Sequence, residues 1–168
     1  MYQFLGSHQN RLDAKGRVSV PASFRSSLRD SGGRGAGGRQ SGEGNGTGIE
    51  LVLRPSHLHP CIEAWPASEF ATLTAPLERY SPLSAEREDL AASLYADAYP
   101  VEADKEGRIL IPDQLAAHAG LTEAVVFMGM GTIFQIWEPA AAERRRAEAR
   151  IRARELTPPR APSRTDAS

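Results

Sequence analysis

Asp13-Ala14-Lys15-Gly16-Arg17-Val18-Ser19-Val20-Pro21 is the first of two copies of one pattern, and the pattern's return decides the fold. The second copy, Asp104-Lys105-Glu106-Gly107-Arg108-Ile109-Leu110-Ile111-Pro112, repeats Asp, Gly, Arg, two β-branched residues and Pro at an offset of 91. The common string is D-x-x-G-R-β-x-β-P. Two β runs are expected to meet at each turn, since Asp and Gly supply the side-chain turn bonds and the positive φ that a tight hairpin needs, and the strands after it alternate in hydrophobicity. Further along, Ile62-Glu63-Ala64-Trp65-Pro66 resembles Phe134-Gln135-Ile136-Trp137-Glu138 at an offset of 72. The two offsets differ by 19, the length of the stretch from Asp30 to Gly48, DSGGRGAGGRQSGEGNGTG. Its Gly/Ser-rich composition reads as a flexible linker inserted into the first repeat.

Each repeat has one plan. Pro21 and Pro112 are expected at the first position of short helices, where a missing N–H is not needed. Phe24 and Leu28 then share a face in the first copy; in the second, Leu115 points inward and Gly120 offers a C-terminal stop. A hairpin closes each unit, Ile49–Arg54 with Cys61–Trp65 and Ala124–Gly129 with Ile133–Trp137. Between the copies Phe70, Leu73, Leu77 and Tyr80 recur at helical spacing, Pro76 breaks the run, and Ser84 opens a second helix with Leu90 and Leu94. Units of this size bury too little surface to stand alone, so the copies are expected to pack as an internal pseudo-dimer, each completing the other's sheet. The expected organisation is a first repeat over 1–66 with a flexible insertion at 31–48, a helical connector over 67–98, a second repeat over 99–138, and an Arg-rich helical and disordered tail over 139–168.

Composition bounds the function. The chain has 168 residues, 40% of them hydrophobic and 24% charged, which fits one ordinary domain and excludes a large multi-domain enzyme. Cys61, the single cysteine, can form no intramolecular disulfide and gives no zinc-finger framework. No apolar stretch approaches the roughly 20 residues of a membrane helix, and MYQFLGSHQNRLD lacks a signal peptide's apolar block, so a cytoplasmic protein is expected. The net charge of −1 hides an asymmetry: residues 140–168 hold eight arginines and four acids, a net +4, which leaves −5 on 1–139. An acidic body binds nucleic acid only where its few basic residues are concentrated.

The paired motifs LDAKGRVSVPASFR and EADKEGRILIPDQL, with a Trp-ending strand in each copy, resemble the MraZ family of bacterial transcriptional regulators over about 1–139. The resemblance implies an α+β, β-rich fold of two swapped-hairpin AbrB-like (SpoVT-type) β-barrel halves. It also implies a ring-shaped homo-oligomer, nucleoid association, and repression at direct repeats of double-stranded DNA upstream of the cell-division and cell-wall gene cluster, its own promoter included. Carried over residue by residue, it makes Arg11, Lys15 and Arg17 in the first copy, and Lys105 and Arg108 in the second, the DNA-contacting residues, with Asp13 and Asp104 orienting the arginines. A basic two-stranded ribbon fits the major groove, where Arg reads guanine and Lys neutralises phosphate. Glu106 stands where the first copy has Lys15, which makes the first loop the stronger DNA candidate. No cofactor, metal or catalytic set is expected.

Blander readings stand beside these. On the residues alone, Asp13/Arg17 and Asp104/Arg108 are equally well read as ion pairs that stabilise their turns. His57 and His59 precede Pro60 in a loop, Cys61 reads as a packed thiol, and Trp65 and Trp137 as core or subunit contacts. The arginines of 138–156 form either a solvated helix face or a nonspecific DNA arm. An enzyme using Asp13 and Asp104 as paired carboxylates lacks any accompanying nucleophile or phosphate loop. The runner-up is an AbrB-like antitoxin or interaction scaffold whose main partner is a protein.

Overall fold

The computed structural model describes residues 3–32 and 48–156. Residues 33–47 of the expected flexible insertion, and the end of the tail from 157, lie outside the described residues; Ser31 and Gly32, expected in the flexible insertion, instead form the last turn of α1. The chain is α+β, with strands β1 (Ser7–Arg11), β2 (Arg17–Ser19), β3 (Glu50–Pro55), β4 (Ile62–Pro66), β5 (Tyr99–Glu102), β6 (Arg108–Leu110), β7 (Ala124–Gly129) and β8 (Phe134–Trp137). The helices are α1 (Ala22–Gly32), α2 (Ala67–Thr74), α3 (Ala85–Tyr95), α4 (Asp113–Ala119) and α5 (Pro139–Glu155), with a 3₁₀ turn over Ala75–Arg79. Pro76 lies at the start of that 3₁₀ turn, where it ends α2, and the Ser84 hydroxyl caps α3 by accepting from the Arg87 N–H at 3.2 Å.

Six strands form one antiparallel sheet in the order β1-β7-β8-β4-β3-β5, and β2 pairs with β6 in a separate two-stranded ribbon. Exchanging the first four strands with the last four leaves this order unchanged. The symmetry axis runs through two cross-repeat pairs, Val18 opposite Ile109 in the ribbon and Glu63 opposite Gln135 in the sheet. The Asp13–Gly16 turn forms, but the strands on either side of it do not pair with each other. β1 goes to β7 and β2 to β6, so each repeat supplies strands to the other and neither can build the sheet alone.

Alternation along the central strands separates two faces. On the inner face, Phe127, Phe134, Ile62 and Leu53 join Phe4, Phe24 and Leu28, the ribbon's Val18 and Ile109, and Leu115 of α4 in one core. Phe24 sits at its centre, with ring centroids 5.2 Å from Phe4 and 5.0 Å from Phe134, the tilted and edge-on contacts aromatic quadrupoles favour. On the outer face, Val126, Met128 and Trp137 pack with Cys61 under Ala142 of α5, while α2 lies against β3 and β4 and the Ser93 carbonyl of α3 reaches the outward-facing Arg54 of β3. Pro21 and Pro112 precede their helices rather than opening them. Pro112 is the N-cap, with ψ at 140°, and its carbonyl accepts from the Leu115 and Ala116 N–H groups, so its ring lies outside the helical hydrogen-bond ladder. Gly120 ends α4 in the left-handed conformation at φ 63°.

Candidate nucleic-acid interface

The two loop tips have nearly the same internal geometry. In the first, one Asp13 oxygen accepts from the Lys15 and Arg17 backbone N–H groups at 2.9 and 2.8 Å, and the other accepts from Arg17 Nε at 2.9 Å. In the second, Asp104 accepts from the Glu106 and Arg108 N–H groups at 3.0 and 2.9 Å and from Arg108 Nε at 3.0 Å. Gly16 and Gly107, at φ 81° and 78°, close the turns in a conformation that side chains disfavour. Each aspartate therefore folds its loop and fixes an arginine at once. The backbone N–H of Arg17 holds the Asp13 carboxyl below its ordinary range, aided by the guanidinium, and the Arg108 N–H does the same for Asp104.

Tip and ribbon are joined by reciprocal bonds across the axis: the Val20 N–H donates to the Gly107 carbonyl and the Ile111 N–H to the Gly16 carbonyl, both at 2.9 Å. Arg17 pairs with Leu110 and Arg108 with Ser19, while Val18 and Ile109 fill the core. Directly opposed residues in an antiparallel pair share a face, so both arginines stand on the ribbon's outer side, on the order of 8 Å apart by strand rise and spacing. Their side chains are 34% and 33% exposed. Lys15 and Lys105 are exposed beside them, and Arg11 is exposed at the end of β1, where it pairs with Ala124.

The tips differ in what remains free. Arg17 is bound by Asp13 through Nε, and among the described residues its terminal nitrogens meet no carboxylate. Arg108 is bound by Asp104 in the same way, and its Nη2 also reaches Glu106 Oε2 at 3.4 Å. Two carboxylates on one guanidinium cancel its charge and occupy a donor that base reading would use. Arg25 of α1, which the sequence reading did not single out, lies against the second tip: a Cβ added at Gly107 would stand 2.6 Å from Arg25 Cδ and Nη1. The repeat offset puts Ala116 at the matching place in α4, and among the described residues the nearest atoms to a Cβ added at Gly16 are the Ile111 carbonyl oxygen and Leu110 Cδ1. Only the final Arg of PASFR, absent from PDQLA, signalled it.

Other candidate residues lie elsewhere. His57 and His59 occupy the bend between β3 and β4, and among the described residues no group of His, Cys, Asp and Glu could hold a metal ion. Cys61 is fully buried, and desolvation pushes its thiol up to about 12. Trp137 is buried and Trp65 half-buried, their indole N–H groups donating to Gln135 at 2.9 Å and Glu63 at 3.2 Å. The first turns of α5 lie on the outer face of the sheet, opposite the face that carries the ribbon. Among the described residues no helix is long and apolar enough to cross a membrane.

A family model described as "MraZ protein, putative antitoxin-like" matches residues 94–155. Similar proteins named Transcriptional regulator MraZ include one from Gluconacetobacter diazotrophicus, 59% identical over 95% of this chain and 93% of that protein. Another, from Gluconobacter oxydans, is 55% identical over 97% and 92%, and one from Xanthobacter autotrophicus is 39% identical over 93% and 90%. Likeness at this level along nearly the whole length places the chain in the class of transcriptional regulators. Within that class it belongs to the MraZ family.

Proposed function

We propose that the chain is a sequence-specific DNA-binding repressor that works as a ring-shaped homo-oligomer in the cytoplasm, at the nucleoid. It reads direct repeats in its own promoter, upstream of the cell-division and cell-wall genes. The observation that carries this reading is the pair of carboxylate-fixed arginines on the exposed face of one two-stranded ribbon. In it, Arg17 reads a base in the major groove, Lys15 and Arg11 neutralise phosphate, and Asp13 holds the guanidinium in its docking pose, so that less freedom is lost on binding. Arg108 and Lys105 form the weaker tip, with Asp104 orienting. The repeats at 1–66 and 99–138 act as one reading unit, and 67–98 and 139–168 serve assembly rather than reading. Assembly compensates for the acidic body, because tips displayed at the spacing of DNA repeats bind with avidity roughly 10²–10⁴ above a single site.

Arg17→Ala tests the assignment by mobility shift on the DNA upstream of the protein's own gene. Loss of a two-point arginine contact at about 1–3 kcal/mol predicts a drop of roughly 5- to 150-fold per site, with the oligomer intact. Unchanged affinity in a folded, assembled variant overturns the site. No shift of that DNA by the parent protein at low salt, with capture of a protein partner instead, favours the antitoxin-like alternative.

A further inference from the structure

The two helical segments that cover the outer face of the sheet carry opposite charge. The connector, 67–98, holds six acids and two arginines, a net −4, and α5 holds six arginines and three glutamates, a net +3. Glu78, Glu86, Glu88, Asp89 and Asp97 are exposed, as are Arg144, Arg146, Arg150, Arg152 and Arg154. Among the described residues none of these charges forms an ion pair within the chain. Helix dipoles account for Glu86 and Glu88 in the first turn of α3 and for Arg152 and Arg154 in the last turn of α5. They do not account for Asp97 beyond α3, or for Arg144, Arg146 and Arg150 in the body of α5.

Apolar groups sit among the charges on both segments. Leu83 of the connector is 98% exposed, and Ile151 of α5 is 58% exposed. From Arg150 onward every described residue of α5 is exposed. A cavity of about 210 Å³ opens beside α5, with Leu58 and Met130 at its apolar side and Arg146 at its basic side.

We propose that the connector of one copy docks on the Arg-rich half of α5 of a second copy. Charge complementarity selects this pairing: connector against connector, or α5 against α5, sets like charges together. Nucleic acid is the poorer occupant of α5, because α5 starts on the sheet face opposite the ribbon and shares its own face with the acidic connector. The two patches are different surfaces of one chain, so the contact is head-to-tail and leaves each copy with one free patch of either kind. Such contacts propagate until a rotation closes them into a ring.

This inference rests on the assembly read above, and its test is made without DNA on the full-length chain. Two variants are compared with the parent by sedimentation: Arg146→Glu/Arg150→Glu, which makes both patches acidic, and Glu86→Lys/Asp89→Lys, which brings the connector's net charge to zero. Each alone is expected to sediment as the 18.2 kDa subunit, with circular dichroism confirming the fold. Mixed one to one they are expected to associate, because the first variant's acidic connector still meets the second variant's unaltered α5, and raised salt should dissociate the parent. Oligomers of unchanged size in either variant, or a mixture that stays monomeric, overturn the interface and leave the assembly reading standing. A monomeric parent overturns the assembly itself, while the Arg17 result remains a separate readout.

Discussion

Replacing Arg54 tests how the symmetry axis handles a buried charge. Arg54 is 3% exposed; its Nη1 donates to Glu63 Oε1 at 2.7 Å, and Nη2 lies 3.2 Å from His57 Nδ1 and 3.4 Å from the Ser93 carbonyl of α3. Glu63, 14% exposed, otherwise receives only the Trp65 indole N–H among the described residues. Strand register gives the same place in the second repeat to Met128 opposite Gln135, whose amide oxygen receives the Trp137 indole. One molecule thus shows a charged and an uncharged solution to one packing problem. Arg54→Met alone strands a largely, though not fully, buried carboxylate, which costs up to about 3–5 kcal/mol. Arg54→Met/Glu63→Gln copies the second repeat and should lie near the parent or up to about 4 kcal/mol above it. With a urea slope of about 2 kcal/mol/M, the single variant's midpoint falls by up to roughly 1.5–2.5 M and the double variant recovers it. Urea unfolding followed by circular dichroism at fixed protein concentration reads both. If the double variant is as unstable as the single, the loss comes from packing of the arginine stem, and the reasoning from stranded charge fails.

Three other expectations concern the tips and the core. Arg108→Ala should weaken DNA binding less than Arg17→Ala, and Glu106→Lys should strengthen it and steepen the salt dependence by about one phosphate contact per tip; equal losses from the two alanine variants would remove the asymmetry. The lowered pKa of Asp13 means that its contribution to loop order is complete above the ordinary value of 3.8 and is lost as pH falls through the lower folded value. A carboxyl NMR titration should therefore place Asp13 and Asp104 below free aspartate, and an ordinary midpoint in the folded protein would refute their hold on the arginines. Cys61, fully buried and with its thiol near 12, should resist a disulfide reagent at pH 8 until the chain is unfolded, so rapid native labelling would contradict its placement.

Much of this fold was legible because duplication writes each element twice. The D-x-x-G-R-β-x-β-P string located both turns, and Pro76, Ser84 and Gly120 marked helix ends where the chain uses them. Proline chemistry was read correctly but placed one residue too far into the helix, since a missing N–H suits a cap as well as a first turn. Strand partners were harder. β1 and β7 lie more than a hundred residues apart, and local alternation says which face a residue takes but not which strand lies beside it. The same limit hid Arg25 and Arg54. One meets the other repeat's loop and the other meets α3, and such juxtapositions arise only once the repeats interleave.

The ribbon takes one strand from each repeat, and both repeats belong to one polypeptide. In a dimer of identical half-size chains every substitution at a tip would appear twice, so both tips would have to remain good at the same task. Tandem fusion releases that constraint. One tip here carries Lys15 and an Arg17 held through Nε by Asp13, while its twin carries Glu106 on the second side of Arg108 and a neighbouring arginine from the other half. Covalent linkage thus lets a symmetric scaffold present an asymmetric face, with a direction along whatever it meets.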